Sequence, residues 1–396
     1  MRIGVNCLQI DPAYAGGVNT YTLGLLAGFA RLSSRDCFFR LYVTKANQHL
    51  FEEFRTQDHF EIAVLGEWLL TARRSICRAA LLSGRNALYK FTSDHVWDNV
   101  RQMMESEVDI LYVPTVVLPF FSARKPTVLS MHDIQHVHYP QFFSWPRRLS
   151  RRITYGLSAQ HATYFQASSE FIKRDLLDHF QCICPNQIEV IPEGVSLEDF
   201  SVPRTDLSLP AEYQVPERYL FLPAQLWPHK NHVTVLKALK KIERLEGLRI
   251  PLIMTGASFS AAPAIFAFIA EQEMSYVQYL GKVPFADLVG LYQKAAFLIS
   301  AGLYESNSLP VLEGAAAGIP IIASRIPPND ELARILQLNL FSPLDADELA
   351  RVILSLWKDE QTAVAQAAHN REHIVGYSWE SAAQKYMHLF ERIKNS

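Results

Sequence analysis

Short runs of apolar residues alternate along this chain with longer stretches in which apolar residues recur at helical spacing. The short runs predict strands at 3–7, 38–43, 110–113, 128–131, 163–167 and 189–191, and again at 219–223, 252–255, 277–280, 297–300 and 321–323. The longer stretches predict helices after Gly17 and at 171–180, 233–245, 263–273, 286–295, 311–317 and 379–393. Buried strands that alternate with helices are typical of parallel α/β sheets.

A polar stretch with three prolines, at 201–216, separates the two sets of strands and is predicted to be a linker. We therefore expect two Rossmann-like domains, at 1–200 and 217–376, that face each other across a cleft. Ligands of open parallel sheets bind beyond the carboxyl ends of the strands, so the chemistry should lie in that cleft. The final stretch, 377–396, is predicted to return to the first domain; the alternative is a helix that stays on the second.

The composition limits the class of protein. With 396 residues, 49% hydrophobic and 20% charged, the chain can form two or three domains with sizeable cores. A formal net charge of -2 argues against a nucleic-acid binder, which normally carries basic excess. The five scattered cysteines favour a reducing compartment over a disulfide framework. Without a signal-peptide pattern or an apolar run of roughly 18–20 residues, the protein should be cytoplasmic, or bound peripherally to the inner face of the plasma membrane.

The strongest chemical signal lies between two glutamates, in the run LYESNSLPVLEGAAAGIPIIAS. Glu305 follows a buried strand, and Glu313 falls inside the next helix, whose first turn suits Pro310. The backbone N–H groups at such a helix start form an anion site. Two flanking carboxylates can accept hydrogen bonds from sugar hydroxyls.

In this run the chain resembles the retaining glycosyltransferases of family 4, which have the GT-B fold. Their mark is a pair of glutamates separated by seven residues, which E-SNSLPVL-E matches. The resemblance implies that Glu305 contacts the donor sugar and that Glu313 contacts the nucleotide ribose. It assigns the remaining donor contacts of this loop to Ser306, Asn307, Ser308 and Leu309. Serine stands at 306 and 308, where the family commonly has glycine.

A second match is the run PAQLWPHKN at 223–231, between a strand and a helix with Asn231 at its predicted N-cap. In the family, an arginine and a lysine here stabilise the negative charge of the departing diphosphate. Lys230 matches the lysine, whereas Gln225 stands at the arginine position and brings a hydrogen-bond donor without charge. The alternative for Lys230 is a solvated surface lysine.

Three weaker signals complete the predicted site. Gly16, Gly17 and Val18 lie between the first strand and helix, without the G-x-G-x-x-G spacing of nicotinamide binding, and the family places the donor phosphates over this loop. His132 follows a strand and matches a family histidine near the reacting centre. Val283 lies in a turn through whose backbone the family contacts the nucleobase; the alternative is an ordinary turn. His136 and His138 lack a completing ligand set, so we expect no metal and no cofactor.

Two basic segments suggest an acceptor at a membrane. Residues 68–93 contain five basic residues and no acidic one, and 145–152 carry four arginines beside Trp145. Such segments are typical of surfaces that bind anionic lipid or a lipid diphosphate. The alternative is a solvated helix face.

The combined expectation is a retaining, metal-independent glycosyltransferase. It would move a hexose from a GDP- or UDP-linked donor to a hydroxyl of a lipid-linked saccharide, in surface polysaccharide or O-antigen assembly. His132, Lys230 and Glu305 are its predicted catalytic residues. The alternatives are a non-catalytic GT-B partner subunit and, on the same fold, a nucleotide-sugar epimerase or a phosphorylase with a pyridoxal lysine.

Overall fold

The computed structural model describes residues 1–12, 16–32, 37–201 and 209–395, without the side chains of residues 67–71 and 360. The chain forms two compact units. Unit 1 comprises Met1–Gly194 and Trp379–Ser396, and unit 2 comprises Val195–Ser378. The division thus falls at residue 194 rather than within the predicted linker at 201–216, of which residues 202–208 lie outside the described part of the chain.

Within the described residues of unit 1, seven parallel strands form one sheet in the order β3-β2-β1-β4-β5-β6-β7. The strands are β1 (Arg2–Asn6), β2 (Phe38–Thr44), β3 (Phe60–Leu65), β4 (Ile110–Val113), β5 (Thr127–Ser130), β6 (Tyr164–Ala167) and β7 (Ile188–Val190). The helices are α1 (Gly17–Arg31), α2 (Glu67–Leu82), α3 (Asn86–Glu107), α4 (Gln135–His138), α5 (Trp145–His161) and α6 (Glu170–His179). Every residue of β4 and β5 is buried, as expected for a parallel sheet covered on both faces.

The described residues of unit 2 contain a six-stranded sheet in the order β10-β9-β8-β11-β12-β13, again parallel. The strands are β8 (Leu220–Pro223), β9 (Leu252–Thr255), β10 (Val277–Tyr279), β11 (Phe297–Ser300), β12 (Ile321–Ser324) and β13 (Asn339–Phe341). The helices are α7 (Leu197–Ser201), α8 (His232–Glu246), α9 (Ala262–Glu271), α10 (Phe285–Lys294), α11 (Leu309–Ala317), α12 (Pro327–Leu332), α13 (Ala346–Lys358) and α14 (Glu360–His373).

Small residues allow α11 to lie directly on β11. A Cβ atom at Gly314 would be 2.6 Å from Cδ2 of Leu298, and the following residues up to Ala317 are alanines that are also buried. This close packing sets the direction in which α11 leaves the sheet. The loop that joins β11 to α11 therefore starts and ends on rigid, buried elements.

The segment around the unit boundary packs on unit 2. The N–H of Val195 donates to the backbone oxygen of Tyr377, at 2.8 Å. Phe200 packs edge-to-face on Tyr292, with ring centroids 5.3 Å apart. Tyr213, which lies in the predicted linker, donates a hydrogen bond to Asp287 at 2.8 Å. Residues 195–200 therefore belong to unit 2 and not, as predicted, to the first domain.

The C-terminal helix, α15 (Trp379–Lys394), lies on unit 1, where it packs against α1. Cβ atoms at Gly24 and Gly28 would fall 2.2 Å from the Trp379 ring and 2.3 Å from its backbone oxygen, so only glycine permits this approach. The Tyr386 hydroxyl is 2.5 Å from that of Tyr21, deep in the core. Among the described residues, no helix has the length and apolar character needed to cross a membrane.

Candidate functional site

Two loops of unit 2 bring a lysine and a glutamate into direct contact. Lys230 lies in the turn after β8, and Glu305 lies in the loop after β11. Because β8 and β11 are parallel neighbours, their carboxyl ends lie side by side. The Lys230 ammonium group donates to both carboxylate oxygens of Glu305, at 2.7 and 2.8 Å. Only 21% and 14% of the two side chains are exposed, so Lys230 is not a solvated surface lysine.

Asn231 fixes the two loops to each other. Its side-chain amide donates to the backbone oxygens of Ala301, at 3.1 Å, and of Pro343, at 2.6 Å. Asn231 lies at the predicted N-cap position of α8, but its side chain accepts no hydrogen bond from the helix backbone. Its oxygen accepts instead from the Thr234 hydroxyl, at 2.8 Å. The predicted N-cap position of Asn231 is confirmed, but its side chain does not cap the helix, because the amide is used to join the β8 and β11 loops.

Gly302 leaves the space in which the Glu305 carboxylate lies. A Cβ atom at position 302 would be 2.3 Å from Oε1 of Glu305, far inside van der Waals contact. The backbone oxygen of Gly302 accepts a hydrogen bond from the Ser324 hydroxyl, at 2.5 Å, which fixes the loop against β12. The observed contact between Glu305 and Lys230 thus depends on a glycine three residues upstream.

Glu313 lies one turn into α11 and is half-buried. The hydroxyl of Tyr292, on α10, donates a hydrogen bond to Oε2 of Glu313 at 2.5 Å. Burial raises the pKa of Glu313 to about 7, while the Tyr292 hydrogen bond and the positive charge of Lys230 act in the opposite direction. The carboxylate therefore changes charge near neutral pH.

One polar side chain of the loop between the glutamates, Ser308, anchors the loop to Asn329 of α12. Ser308 is fully buried, and its hydroxyl donates to the side-chain oxygen of Asn329 at 2.5 Å. Its side chain is thus used internally, so a donor contact from Ser308 would come from its backbone N–H. Asn307 is also buried, and its side-chain nitrogen has no hydrogen-bond partner in the described residues. Leu309 opens α11, and Ser306 is half-buried beside Glu305.

Gln225 is oriented by a neighbouring tryptophan. The indole N–H of Trp227 donates to Oε1 of Gln225 at 3.0 Å, and the indole stacks on Phe259 with ring centroids 4.0 Å apart. Because an indole N–H can only donate, this bond also fixes which end of the Gln225 amide is the oxygen. The side-chain NH₂ of Gln225 therefore faces away from Trp227, as a hydrogen-bond donor.

The turn that carries Val283 begins at Gly281, whose φ of +71° is in the left-handed region. The backbone oxygen of Gly281 accepts a hydrogen bond from the N–H of Gly256, at 2.8 Å. The Val283 side chain packs against the core of unit 2. Val283 can thus offer a ligand only its backbone groups and the exposed part of its side chain.

His132 lies in unit 1, just beyond β5, and is buried. Its Nε2 is 2.9 Å from the backbone oxygen of Pro114, and its ring packs edge-to-face on Tyr21 with centroids 4.6 Å apart. Because a carbonyl oxygen only accepts, Nε2 carries the proton. Burial lowers the pKa of His132, so the imidazole is neutral near pH 7 and Nδ1 is an acceptor.

The glycine loop of unit 1 leads directly into α1. Gly16 is the N-cap residue, and its backbone oxygen accepts from the N–H groups of Asn19 and Thr20, at 2.9 and 3.2 Å. A Cβ atom at Gly17 would meet nothing within 4 Å among the described residues, so open space lies beside this helix start. Val18 is the second residue of α1. Residues 13–15, which precede the loop, lie outside the described part of the chain.

Two sequence-family profiles match the chain, one mainly in unit 1 and the other in unit 2. The profile of Glycosyltransferase Family 4 matches residues 15–199, and that of Glycosyl transferases group 1 matches residues 211–373. The second match contains both glutamates and Lys230. The chain belongs to the family 4, group 1 glycosyltransferases.

This glycosyltransferase is 22% identical to O-antigen chain mannosyltransferase B of Escherichia coli over 287 residues, which are 71% of this chain and 74% of that protein. It is 25% identical to the MMP alpha-(1->4)-mannosyltransferase of Mycolicibacterium hassiacum over 260 residues, 63% of this chain and 57% of that one. HepE of Anabaena, solved in complex with UDP and glucose, matches with a TM-score of 0.76 at 18% identity, over 99% of this chain and 100% of that one. The predicted GT-B fold is confirmed.

Several residues of the glycosyltransferase site were not predicted from the sequence. Tyr292 and Trp227 look like ordinary core aromatics in the pattern of apolar positions, and nothing in the sequence pairs them with Glu313 or Gln225. Gly302 could have been noticed in the sequence, because a glycine close to the end of a buried strand often allows another group to approach the backbone closely. Finding its partner still required the structure.

The histidines of unit 1 are used separately. His138 pairs with Asp175, at 2.7 Å, while His136 is buried and burial lowers its pKa to about 4. Among the described residues, no group of three histidine, cysteine, aspartate or glutamate side chains is arranged to hold a metal ion.

Proposed function

We propose that the protein transfers a hexose, with retention of configuration and without a metal, from a nucleoside diphosphate sugar to a hydroxyl acceptor. The observation that carries this proposal is the contact of Lys230 with Glu305. The positive charge of Lys230 also acts on Glu313, whose pKa it lowers. A nucleotide sugar contains a diphosphate, which a cation stabilises, and hydroxyl groups, which can donate hydrogen bonds to carboxylates. Lys230, Glu305 and Glu313 supply these groups.

In the proposed reaction, the donor diphosphate first binds to the Lys230 ammonium group, which remains paired with Glu305. The lysine charge stabilises the negative charge that develops on the leaving diphosphate, as a metal ion does in other transferases. Backbone N–H groups at the start of α11 supply the positive end of a helix dipole. Glu305 accepts hydrogen bonds from the donor sugar, and the neutral His132 offers Nδ1 as an acceptor for a sugar hydroxyl.

For the donor, mannose and a uridine or guanosine nucleotide are our first choices. Both relatives described above are named mannosyltransferases, and the structural neighbour HepE was solved with UDP. The name of the first relative also supports a place in O-antigen or other surface polysaccharide synthesis. In such a pathway the acceptor would be a lipid-linked saccharide at the inner face of the membrane.

A surface of unit 1 supports the membrane part of this proposal. We call it the basic apolar surface, and it comprises Ile76, Arg78, Leu82, Arg85, Leu88, Phe91, Trp145, Arg147, Arg148 and Arg152. These residues are exposed, and Leu82, Phe91 and Trp145 have exposed fractions of 75%, 71% and 66%. Large exposed apolar side chains among arginines match an anionic lipid surface.

The basic apolar surface is formed by three adjoining helices and not by one amphipathic segment. The predicted segment at 68–93 is broken between α2 and α3, where Gly84 has a φ of +70°. A Cβ atom at Gly84 would be 4.0 Å from Leu149 of α5, so the turn lies against the second arginine cluster. Side chains 68–71 of the predicted segment lie outside the described residues.

Nucleotide binding tests the proposed reaction. Thermal unfolding with UDP, GDP and their hexose conjugates, in the presence of a chelator, should show stabilisation by one nucleotide class. Lys230→Ala and Glu313→Ala should abolish it, because they remove the cation and the ribose contact. Lys237→Ala is the matched control, since Lys237 is an exposed lysine of the same unit. If no nucleotide stabilises the folded wild type, the protein is a non-catalytic relative.

Vesicle flotation tests the membrane surface. At low salt the protein should float with vesicles that contain phosphatidylglycerol and not with neutral ones. The triple variant Arg85→Gln, Arg147→Gln, Arg148→Gln should lose this binding. A control with three exposed lysines elsewhere replaced by glutamine, Lys45, Lys237 and Lys385, removes the same charge and should still bind. Equal loss in both variants would indicate a general charge effect and contradict a specific surface.

A further inference from the structure

The hydrogen bond between Tyr292 and Glu313 joins a fully buried hydroxyl to one oxygen of a half-buried carboxylate. Tyr292 lies on α10, and its hydroxyl donates to Oε2 of Glu313 at 2.5 Å. A carboxylate has two oxygens, so Oε1 is left for a second partner. The tyrosine thus holds one edge of Glu313 and sets the direction of the other.

We propose that Tyr292 is a positioning residue for donor binding, whose hydroxyl orients the Glu313 carboxylate and favours the charged form that accepts hydrogen bonds from the nucleotide ribose. This inference rests on the proposed function, because it takes Glu313 as the ribose ligand. It adds a residue that touches no substrate and acts through Glu313 alone.

The hydroxyl matters because the surroundings of Glu313 favour its neutral form. Burial raises the pKa of Glu313 to about 7, and two groups oppose that effect: the Tyr292 hydroxyl on α10 and the Lys230 ammonium group in the β8 loop. Lys230 is already shared with Glu305 at 2.7 Å, so it neutralises two carboxylates at once. Without the tyrosine hydrogen bond, Glu313 would become protonated at a higher pH and would lose acceptor capacity for the ribose.

The aromatic ring of Tyr292 has a separate structural role. It packs edge-to-face on Phe200 and Phe221, with centroids 5.3 and 5.0 Å away. A change to phenylalanine keeps these contacts and removes only the hydroxyl. The variant Tyr292→Phe should therefore fold, and its effects can be assigned to the hydrogen bond.

The test is the pH dependence of UDP and GDP affinity, measured by calorimetry between pH 6 and 9. In the wild type, affinity should fall as the pH decreases through about 7, where Glu313 takes up a proton. In Tyr292→Phe this fall should move upward by about one pH unit, so that the dissociation constant at pH 7 rises about fivefold and recovers near pH 9.

Tyr219→Phe is the matched control. Tyr219 is also fully buried, and its hydroxyl donates to the backbone oxygen of Leu291, on the same helix as Tyr292, at 2.7 Å. This variant loses a comparable buried hydrogen bond without touching Glu313, and its pH profile should match that of the wild type. A loss of affinity in Tyr292→Phe that is equal at every pH would overturn the proposal, because a purely structural role has that result.

Failure of this inference can be distinguished from failure of the proposed function. If the wild type binds UDP or GDP and Glu313→Gln weakens that binding, the ribose contact stands. An unchanged pH profile in Tyr292→Phe would then overturn the role of the tyrosine alone. If the wild type binds neither nucleotide at any pH, both proposals are wrong.

Discussion

The ammonium group of Lys230 lies between the two carboxylate oxygens of Glu305, 2.7 Å from one and 2.8 Å from the other. Each group is thus the partner of the other. Neither charge is left uncompensated in a largely buried place, which would be costly. A ligand diphosphate has only to share the lysine, because both groups are already held in position by their loops.

Variants of Lys230 and of Glu305 should differ from each other in their effects on nucleotide binding and on turnover. Lys230→Met should lower turnover by about a hundredfold and also weaken nucleotide binding, because the cation stabilises the diphosphate both before and during its departure. Glu305→Gln should lower turnover with little change in the affinity for UDP or GDP, since neither carries the sugar. Initial-rate kinetics and calorimetry separate the two. A Glu305→Gln variant that loses nucleotide affinity as strongly as Lys230→Met would contradict the assigned sugar contact.

A substitution at Gln225 that adds a negative charge and keeps the side-chain shape should weaken nucleotide binding. In Gln225→Glu, the Trp227 N–H can still donate to a side-chain oxygen, so the local structure should persist. The NH₂ donor is replaced by a carboxylate oxygen that repels a diphosphate, and we expect at least about tenfold weaker binding of UDP or GDP. Gln361→Glu, at an exposed position of unit 2, is the charge-matched control. Equal affinity of Gln225→Glu and wild type would exclude Gln225 from the donor site.

Glu313 should reduce the stability of unit 2 at alkaline pH. Its pKa is raised from 4.5 to about 7, so the folded state binds a proton more tightly than the unfolded state. Stability from this residue is therefore fully present below pH 4.5 and is lost as the pH rises through 7. Glu313→Gln should be more stable than the wild type at pH 8, by about 1–3 kcal/mol, and should lose that advantage at pH 4.5. Denaturant unfolding at the two pH values measures this difference; a constant difference would be inconsistent with the raised pKa.

The glycines of α1 should be needed for docking of the C-terminal helix. Gly24→Ala places a methyl group 2.2 Å from the Trp379 ring, so unit 1 should lose about 1–3 kcal/mol of stability. Gly156→Ala is the control, because it lies inside α5 with nothing within 4 Å of the new methyl group. There the better helix propensity of alanine should raise stability by about 0.5–1 kcal/mol. Thermal unfolding and limited proteolysis after residue 378 report both effects, and a shift of the same sign in both variants would contradict the argument.

The strands that could be predicted from the sequence are those buried on both faces. Strands such as β4, β9 and β11 were predicted with their observed bounds, because short runs of three or four apolar residues between helical stretches are typical of strands buried in a parallel sheet. The missed strands, β3 and β13, lie at the edges of their sheets and are partly exposed. The apolar run IAVL of β3 leads almost without a break into α2, and β13 contains only two apolar residues, so neither stands out as a strand in the sequence.

The same distinction applies to the candidate site. Lys230, Glu305 and Glu313 were found because their spacing within each loop is local and matches a family pattern. The contacts that orient them come from residues far away in sequence, as Tyr292 does for Glu313 and Ser324 for Gly302. No local pattern encodes such pairs, because they arise only when the parallel strands place their carboxyl ends together.

The docking of α15 has a consequence for the order in which the protein can mature during synthesis. Tyr21 and Tyr386 are 365 positions apart in the chain, and their hydroxyls share one buried network with Tyr112 and Ser130. The ribosome therefore releases the sheet of unit 1 long before the helix that covers it. Until α15 emerges, the surface of α1 that Trp379 and Tyr386 later cover is exposed, and chaperones can bind this apolar surface. A premature stop after residue 378 would spare every residue of unit 2 and still leave the first-made unit unfinished.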